Sequence, residues 1–198
     1  MNPFIYLASQ SPRRQDLLKQ IGVHFELLQP QIGEDTESIE IALPQEKARV
    51  YVERVTLAKS AMALTRWEKS GLPWAPILCA DTTVSLPNGI GGEILGKPTD
   101  AADATRILEM LSDKTHEVLT AVAVRIDPEM APSVWYKFQK SNLPNSPPSK
   151  LKTTLLAVNP SARRELTASK DEPVPSFPRS KVAIAVSWVY PFMKPPIY

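Results

Sequence analysis

Glycine is confined to the first half of this chain. All seven glycines lie at or before Gly96, whereas twelve of the twenty prolines fall from Pro128 onward. Residues 126–198 also carry ten Lys or Arg side chains against five Asp or Glu. A long segment with Pro-Pro pairs and no glycine is hard to fold into a sheet with tight turns. We therefore predict an ordinary folded domain up to about Arg125 and no regular pattern of helices and strands beyond it.

Up to Arg125, short apolar runs alternate with amphipathic segments. Strands are expected at residues 4–7, 23–28, 77–80 and 118–124, and helices at 12–21, 45–70 and 99–111. Gly22 and Gly71 stand where the first two of these helices would end. Asn88-Gly89 predicts a hairpin turn, with a returning strand just before Lys97. The alternation predicts an α/β fold, a mixed sheet flanked by helices.

The segment Leu7-Ala8-Ser9-Gln10-Ser11-Pro12-Arg13-Arg14 joins the first strand to the first helix. A serine followed by a proline is a typical helix start. The first N–H groups of a helix lack partners and lie at the positive end of its dipole. Together with the side chains of Ser9, Ser11, Arg13 and Arg14, they predict a site for a polyanion such as phosphate. An ordinary helix cap beside two solvated arginines is the alternative, and spacing alone does not separate the two.

Asp81 directly follows the apolar run 77–80. Ligands of open α/β sheets bind at the carboxyl ends of strands, so Asp81 is the carboxylate of greatest interest. An Asx-turn or a strand-end cap is the alternative role for it. Glu34, in an acidic loop, and Lys97, held extended by the following proline, are expected at the same edge. Asp81 and Glu34 can hold a divalent cation, and Asp81 can activate water. This combination suits phosphoryl chemistry on a nucleotide.

Other classes of protein fit the composition poorly. A single cysteine, Cys79, excludes an internal disulfide and a cysteine metal cluster, and the two histidines argue against a histidine-rich metal site. The sequence has no Walker-type glycine loop and no GxGxxG motif. The N-terminus lacks a signal segment and no apolar run is long enough to cross a bilayer. We therefore expect a soluble intracellular protein.

Five motifs follow one another in a characteristic order. They are Leu7–Arg14 with Leu17-Leu18, Tyr51-Val52-Glu53-Arg54 with Lys59, Ala80-Asp81-Thr82, Leu95-Gly96-Lys97-Pro98 and His116-Glu117-Val118-Leu119-Thr120-Ala121-Val122. Over about the first 125 residues they resemble the Maf family. The resemblance implies a Maf/ITPase-like fold and a cytoplasmic nucleoside triphosphate pyrophosphatase. Such an enzyme releases pyrophosphate and a nucleoside monophosphate with a divalent cation, Mg²⁺ or Mn²⁺, and is suggested to be a homodimer.

The resemblance also implies roles for single residues. Ser-Pro-Arg-Arg with Asp-Thr resembles the branch that acts on dTTP and UTP, as opposed to the branch associated with 7-methyl-GTP. Asp81 is the implied catalytic base, and Arg13 and Thr82 are the implied specificity positions. The implied phosphate and metal contacts are Ser9, Ser11, Arg14, Lys59 and Lys97 for phosphate, and Glu34 with Asp81 for metal. Gly33 and Asp113 depart from the family pattern, which usually has an acidic residue and often a glycine there.

The second part of the chain lacks the closing pattern of the family, including a YGIQG segment whose glutamine helps to read the base. A shift of the reading frame restores it. When the third base of each codon is read with the first two of the next, the genetic code permits three matching strings. Lys181 through Lys194 can read GSYSGVMGLPLYE, Ala162 through Asp171 can read KAGAYGIQG, and Ala157 through Pro160 can read GEP.

Some twenty-five matches in one frame are not expected by chance. We therefore interpret residues 1–126 as a Maf-like core and 127–198 as the frameshifted remainder of the same domain. The interpretation requires a net loss of one base, or gain of two, between the codons of about Arg125 and Trp135. A genuine frameshift would leave an inactive, poorly folded Maf remnant, because sheet edges and apolar surface would be exposed.

An alternative interpretation treats the basic tail as a functional segment of the protein. Trp135, Tyr136, Phe138 and Trp188 lie among basic residues, a composition that can bind nucleic acid. They form no stripe, repeat or recognisable module, and an unselected basic sequence has the same composition. A nucleic-acid-binding protein therefore stays open as a third interpretation, but we favour the unselected sequence and do not expect nucleic acid as a partner.

Overall fold

The computed structural model describes residues 4–87, 92–96 and 100–142. Helices and strands alternate along this part of the chain, so the predicted α/β fold is confirmed. The elements are β1 (Ile5–Leu7), α1 (Pro12–Gln20), β2 (Phe25–Leu27), a 3₁₀ turn (Ser38–Glu40), α2 (Ala48–Ser70), β3 (Ile77–Leu86), β4 (Glu93–Leu95), α3 (Ala101–Leu111), β5 (Thr115–Arg125) and β6 (Ser133–Asn142).

The strands form one mixed sheet in the order β2-β1-β3-β5-β6, with β4 paired to β3 outside that path. β1 is parallel to both neighbours, so that Leu7 lies opposite Leu27 on β2 and Leu78 on β3. β4 runs antiparallel to β3. The predicted hairpin is therefore confirmed, although its turn, Asn88-Gly89, lies outside the described residues.

β3 is longer than the sequence predicts. β1 ends at Leu7, opposite Leu78, whereas β3 continues to Leu86 because its far end pairs with β4. The prediction that the strand ends at Ala80 was therefore wrong. Asp81 lies inside β3, just beyond the part that is paired with β1, and not at the carboxyl end of the strand.

Regular structure also continues past Arg125, where the sequence predicts that periodicity fails. β6 spans Ser133–Asn142 and stands next to β5 in the sheet. Its valine and aromatic residues favour a strand locally, which explains why composition was a poor guide to this segment. The domain boundary at residue 126 stays a prediction. Residues 143–198, with Trp188 and the three re-read strings, lie outside the described residues.

The described residues divide into two compact units, one formed by residues up to Thr82 with Thr120–Lys137, the other by Thr83–Leu119 with residues 138–142. In the first unit, alternate residues of the strands face opposite sides. Tyr6, Ile77 and Cys79 pack with Ala63 of α2, and Leu7 and Leu78 pack with Leu18 of α1. In the second unit, Leu86, Leu95 and Leu111 form the core.

The end of α2 and the start of α3 follow local sequence rules, and the start of α1 does not. α2 is followed by Gly71, whose φ of 68° is a conformation that favours glycine. The Asp100 side chain caps α3 by accepting a hydrogen bond of 2.7 Å from the Asp103 N–H. Ser11 occupies the N-cap position of α1, but its side chain makes no capping hydrogen bond. No helix in the described part of the chain is both long and apolar enough for a membrane span.

Candidate active site

Lys59 lies between two carboxylates. Its Nζ atom is 2.7 Å from Oδ1 of Asp81 on β3 and 2.7 Å from Oε1 of Glu40 in the 3₁₀ turn. The side chains of Lys59, Asp81 and Glu40 are 20%, 12% and 22% exposed, so all three are largely shielded from solvent. Ion pairs in such a setting are screened less by salt than those at an open surface. The three groups together carry one excess negative charge.

Arg14, in the first turn of α1, adds a second cation to this group. Its Nη1 donates a hydrogen bond of 3.0 Å to Oγ of Ser9. Burial lowers the pKa of Arg14, and the carboxylates of Asp81 and Glu40 oppose that shift. The backbone N–H of Ala8 donates a hydrogen bond of 2.9 Å to the carbonyl oxygen of Leu78, so the segment that leads to Arg14 lies against β3. Two cations and two carboxylates therefore share one polar cluster, made of Arg14, Glu40, Lys59 and Asp81.

Ser9 organises the segment that leads into α1. Besides the bond from Arg14, its Oγ accepts a hydrogen bond of 3.3 Å from the backbone N–H of Ser11. The hydroxyl of Ser9 thus orients both the guanidinium and the start of the helix. Ser11 and the exposed Arg13 lie in the same segment, where the first N–H groups of α1 carry the positive end of its dipole.

The 3₁₀ turn that carries Glu40 is held by α2. Tyr51 donates its hydroxyl to the carbonyl oxygen of Glu40 at 2.8 Å. Burial, and after it the carboxylates of Asp81 and Glu40, raise the pKa of Tyr51 to about 12. The hydroxyl therefore stays protonated at neutral pH and remains a hydrogen-bond donor.

Arg54, one turn further along α2, holds the carbonyls on either side of Glu40. It donates to the oxygens of Ile39 and Ile41, at 3.0 Å each, and to both carboxylate oxygens of Glu46, at 2.7 and 2.8 Å. The hydrogen bonds from Arg54 lower the pKa of Glu46. The hydrogen bonds from Tyr51 and Arg54 therefore fix the backbone position of Glu40.

Glu34, predicted as a metal ligand, is engaged by another residue. Arg66 of α2 donates Nε to one oxygen of the Glu34 carboxylate at 3.0 Å and Nη2 to the other. These hydrogen bonds lower the pKa of Glu34. Asp81 pairs with Lys59 while Glu34 pairs with Arg66, so the structure joins the two predicted carboxylates to different cations. In residues 4–87, 92–96 and 100–142, no three His, Cys, Asp or Glu side chains group as a metal site.

Thr82 meets a residue on the neighbouring strand. Its Oγ1 is 3.1 Å from Oγ1 of Thr120 on β5, and Thr82 is exposed. A hydroxyl pair of this kind fixes the direction of one donor and one acceptor toward solvent or a ligand. Lys97, the remaining predicted phosphate contact, lies outside the described residues.

Comparison with known proteins decides the family. A family model described as Maf-like protein matches residues 4–146, which is well over half of the chain. The chain belongs to the Maf family. The resemblance inferred from the motifs is therefore confirmed, and the match extends past Arg125 and through β6.

Curated Maf relatives match the same chain closely. The dTTP/UTP pyrophosphatase of Albidiferax ferrireducens is 58% identical over 124 residues, which are 63% of this chain and 60% of the relative. That of Burkholderia orbicola is 59% identical over 122 residues, 62% of this chain and 56% of the relative. That of Polaromonas is 55% identical over 122 residues, which are 62% of this chain and 58% of the relative. The chain thus spans less than two thirds of the length of these relatives.

The Maf motifs do not identify every residue of the cluster. Glu40 lies outside all five motifs, and only the three-dimensional path of its loop brings it to Lys59. Thr120 belongs to the last motif, but its contact with Thr82 depends on strand pairing. The sequence could have singled out Arg66, because a charged residue on the buried side of a long helix needs a partner of opposite charge.

Proposed function

We propose that this Maf protein hydrolyses dTTP and UTP to the nucleoside monophosphate and pyrophosphate. The observation that carries the proposal is the position of Asp81 beside two cations, Lys59 and Arg14, in a largely shielded cluster. The names of the curated relatives, dTTP/UTP pyrophosphatase, support the choice of substrates.

Asp81 is the base in this proposal. A water molecule attacks the α-phosphorus, a bond forms between its oxygen and that phosphorus, and the bond to the β-phosphate oxygen breaks. The proton of the water passes to the Asp81 carboxylate, and pyrophosphate leaves. General-base catalysis by a positioned carboxylate is worth roughly 10²–10⁴-fold in rate. The side chain suits this role because only 12% of it is exposed and it lies next to the cations that would bind the phosphates.

The cations and the start of α1 bind the triphosphate. Arg14 and Lys59 stabilise charge on the reacting and leaving phosphates, and Ser9, Ser11 and the first N–H groups of α1 donate hydrogen bonds. Lys97 is proposed as a further phosphate contact. When phosphate oxygens reach Lys59, its ammonium exchanges the contact with Asp81 for one with phosphate, which frees Asp81 to accept a proton.

A divalent cation, Mg²⁺ or Mn²⁺, fits the chemistry of the Asp81 carboxylate. The carboxylate is a hard oxygen ligand of the type that these cations prefer, and it becomes available to one when the Lys59 ammonium moves from it to phosphate; such cations take their other ligands from water and phosphate. When bound, the cation would neutralise charge on the triphosphate. The metal role proposed for Glu34 requires its carboxylate to leave Arg66, because both of its oxygens accept hydrogen bonds from that guanidinium.

Arg13 and Thr82 are proposed as the positions that select the base. Thr82 is exposed, and Thr120 fixes the direction of its hydroxyl. A hydrogen-bonding site of this kind discriminates by leaving polar groups unpaired against the wrong base.

The proposal includes location and assembly. The family resemblance implies that the enzyme works in the cytoplasm as a homodimer. Light scattering coupled to gel filtration should then give a mass of twice 22.0 kDa. A monomer mass at micromolar concentration would contradict the assembly.

Residues 127–198 are proposed to be the frameshifted remainder of the Maf domain. The codon re-reading supports this, and the curated relatives match over only 122–124 residues. The names of the relatives favour an active enzyme over an inactive remnant. If the frame is broken in the gene itself, the chain lacks the base-reading glutamine and should turn over poorly.

The test measures pyrophosphate release from dTTP, UTP, CTP, GTP and 7-methyl-GTP with Mg²⁺ or Mn²⁺. Two proteins are compared: the chain as given, and the product of the gene with one base inserted between the codons of Arg125 and Trp135. Each is paired with its Asp81→Asn variant. We expect the restored product to prefer dTTP and UTP and its variant to lose about 10²-fold or more. If neither protein releases pyrophosphate, the proposed function is wrong. If both are equally active, the prediction that the shifted tail inactivates the chain is wrong.

A further inference from the structure

Glu40 shares the Lys59 ammonium with Asp81. The two contacts have the same length, 2.7 Å, and come from different parts of the chain, the 3₁₀ turn and β3. The positive charge of Lys59 is therefore divided between two carboxylates. A third residue, Arg14, interacts electrostatically with both carboxylates and adds to the positive charge around them. No motif in the sequence assigns a role to Glu40.

The position of Glu40 does not depend on Lys59 alone. Tyr51 donates to its carbonyl oxygen, and Arg54 donates to the carbonyls of Ile39 and Ile41 on either side of it. Since these three bonds come from a single helix, α2, which also carries Lys59, they fix the backbone of the turn relative to that helix. With the turn held in this way, the Glu40 carboxylate lies at Lys59.

We propose that Glu40 is a positioning residue, which fixes the Lys59 ammonium beside Asp81, where the phosphates of the substrate would meet it. Without Glu40, the flexible Lys59 side chain would keep only its contact with Asp81 and would be held from one side. With Glu40 present, the ammonium is held from two sides and is oriented for the reacting phosphate. The inference rests on the proposed function, because it takes Lys59 as a phosphate contact.

The kinetic test compares Glu40→Gln with the unaltered chain. The amide keeps the size of the side chain and one acceptor oxygen but loses the charge. We expect kcat for dTTP and UTP to fall about tenfold, with KM changed by less than about threefold, because a loosely held ammonium still attracts the triphosphate but is poorly placed for the charge that develops in the transition state. Glu40→Asp, which keeps the charge, should recover part of the loss. An equal loss in both variants would overturn the proposal.

Glu37→Gln is the matched control. Glu37 is an exposed glutamate immediately before the same 3₁₀ turn, so its substitution removes the same charge three residues away. Its kcat should stay within about twofold of the unaltered value. The same loss in Glu37→Gln as in Glu40→Gln would mean that only the net charge of the loop matters, and the proposal would fail.

The effect of Glu40→Gln in a protein that also carries Lys59→Met tests whether Glu40 acts through Lys59. If it does, Glu40→Gln should have almost no further effect on kcat in a Lys59→Met protein, and the two losses should be clearly non-additive. Additive losses would show that Glu40 acts on its own and would overturn the positioning role.

Proton exchange at the Lys59 ammonium gives a readout that needs no turnover. Its ¹⁵Nζ NMR signal is assigned by its absence from Lys59→Met, and the exchange rate of the ammonium protons reports how well they are hydrogen-bonded. We expect exchange to quicken about threefold or more in Glu40→Gln and to be unchanged in Glu37→Gln. If no protein releases pyrophosphate, the proposed function fails on that result alone. The positioning of Lys59 is then decided by NMR, and an unchanged rate in Glu40→Gln overturns it.

Discussion

Arg66 binds the carboxylate of Glu34 with two of its nitrogens and donates a third hydrogen bond, of 2.6 Å, to the carbonyl of Leu28. The side chains of Arg66 and Glu34 are 7% and 19% exposed. One guanidinium thus connects α2 to the residue after β2 and to the acidic loop that follows. The loop that leads to Glu40 therefore begins at a fixed point.

Substitution of Arg66 by methionine should destabilise the chain by about 2–3 kcal/mol, since it leaves a shielded carboxylate and a buried carbonyl unpaired. The free energy of unfolding in urea measures this loss. Arg106→Met is the control: its partner is Asp103, but the Arg106 side chain is 57% exposed. An exposed pair of this type is worth less than about 1 kcal/mol. Equal losses in the two variants would show that the pair with Glu34 adds no stability.

The same pair should make stability depend on pH. The hydrogen bonds from Arg66 lower the pKa of Glu34 below its ordinary value of 4.5. The stabilisation is therefore complete above that value and is lost as the pH falls through the lower pKa of the folded protein. We expect the stability difference between the chain and Glu34→Gln to be constant from neutral pH to about 5.5 and to shrink at lower pH. Urea unfolding across this range tests it, and a difference that grows on acidification would contradict it.

The sequence predicts the residues of the cluster that lie on regular elements. Lys59 follows from the period of α2, and Ser9 and Arg14 from the strand-to-helix segment. Asp81 was predicted as a strand-end residue, and its true place inside β3 depends on pairing with β4, which apolar pattern alone does not reveal. Local patterns find residues whose position is set by their own helix or strand.

Residues held by long-range contacts were not predictable in the same way. Glu40 lies 19 residues before Lys59 in the chain, and its place depends on three hydrogen bonds from α2. Glu34, in an acidic loop, was predicted at the same edge of the sheet as Asp81, but the loop offered no sign that Arg66 would be its partner. Charge alone does not tell which of several arginines a glutamate will meet.

Thr82 and Thr120 should act as one unit in base selection. Each single valine substitution removes the hydroxyl pair, so the second substitution should add little. We expect Thr82→Val and Thr120→Val each to lower the preference for dTTP and UTP over CTP by about threefold to tenfold. The double variant should match the singles. The ratio of kcat/KM between substrates measures the effect, and additive changes would show that the two hydroxyls act separately.

Tyr51→Phe should loosen the turn that carries Glu40. It removes the hydrogen bond of 2.8 Å to the Glu40 carbonyl and leaves the ring in place. The expected cost is about 1 kcal/mol of stability. Because Arg54 still holds both neighbouring carbonyls, kcat should fall less than in Glu40→Gln. Urea unfolding and pyrophosphate release test the two parts, and a larger kinetic loss than in Glu40→Gln would contradict this order of effects.

The frameshift interpretation requires a particular third base in several codons of the tail, so it can be tested on the gene alone. To read GSYSGVMGLPLYE in the shifted frame, Ile184 must be encoded by AUA, Ala185 by GCG, Ser187 by UCA and Phe192 by UUU. A fresh DNA read across the codons from Arg125 to Tyr198 decides the matter. AUU or AUC at Ile184 would refute the re-reading of this string. If the third bases agree and the fresh read has one base more, the protein ends in the Maf closing motif. If they agree and the frame remains shifted, the break is real, and inserting one base should restore cooperative unfolding together with pyrophosphate release.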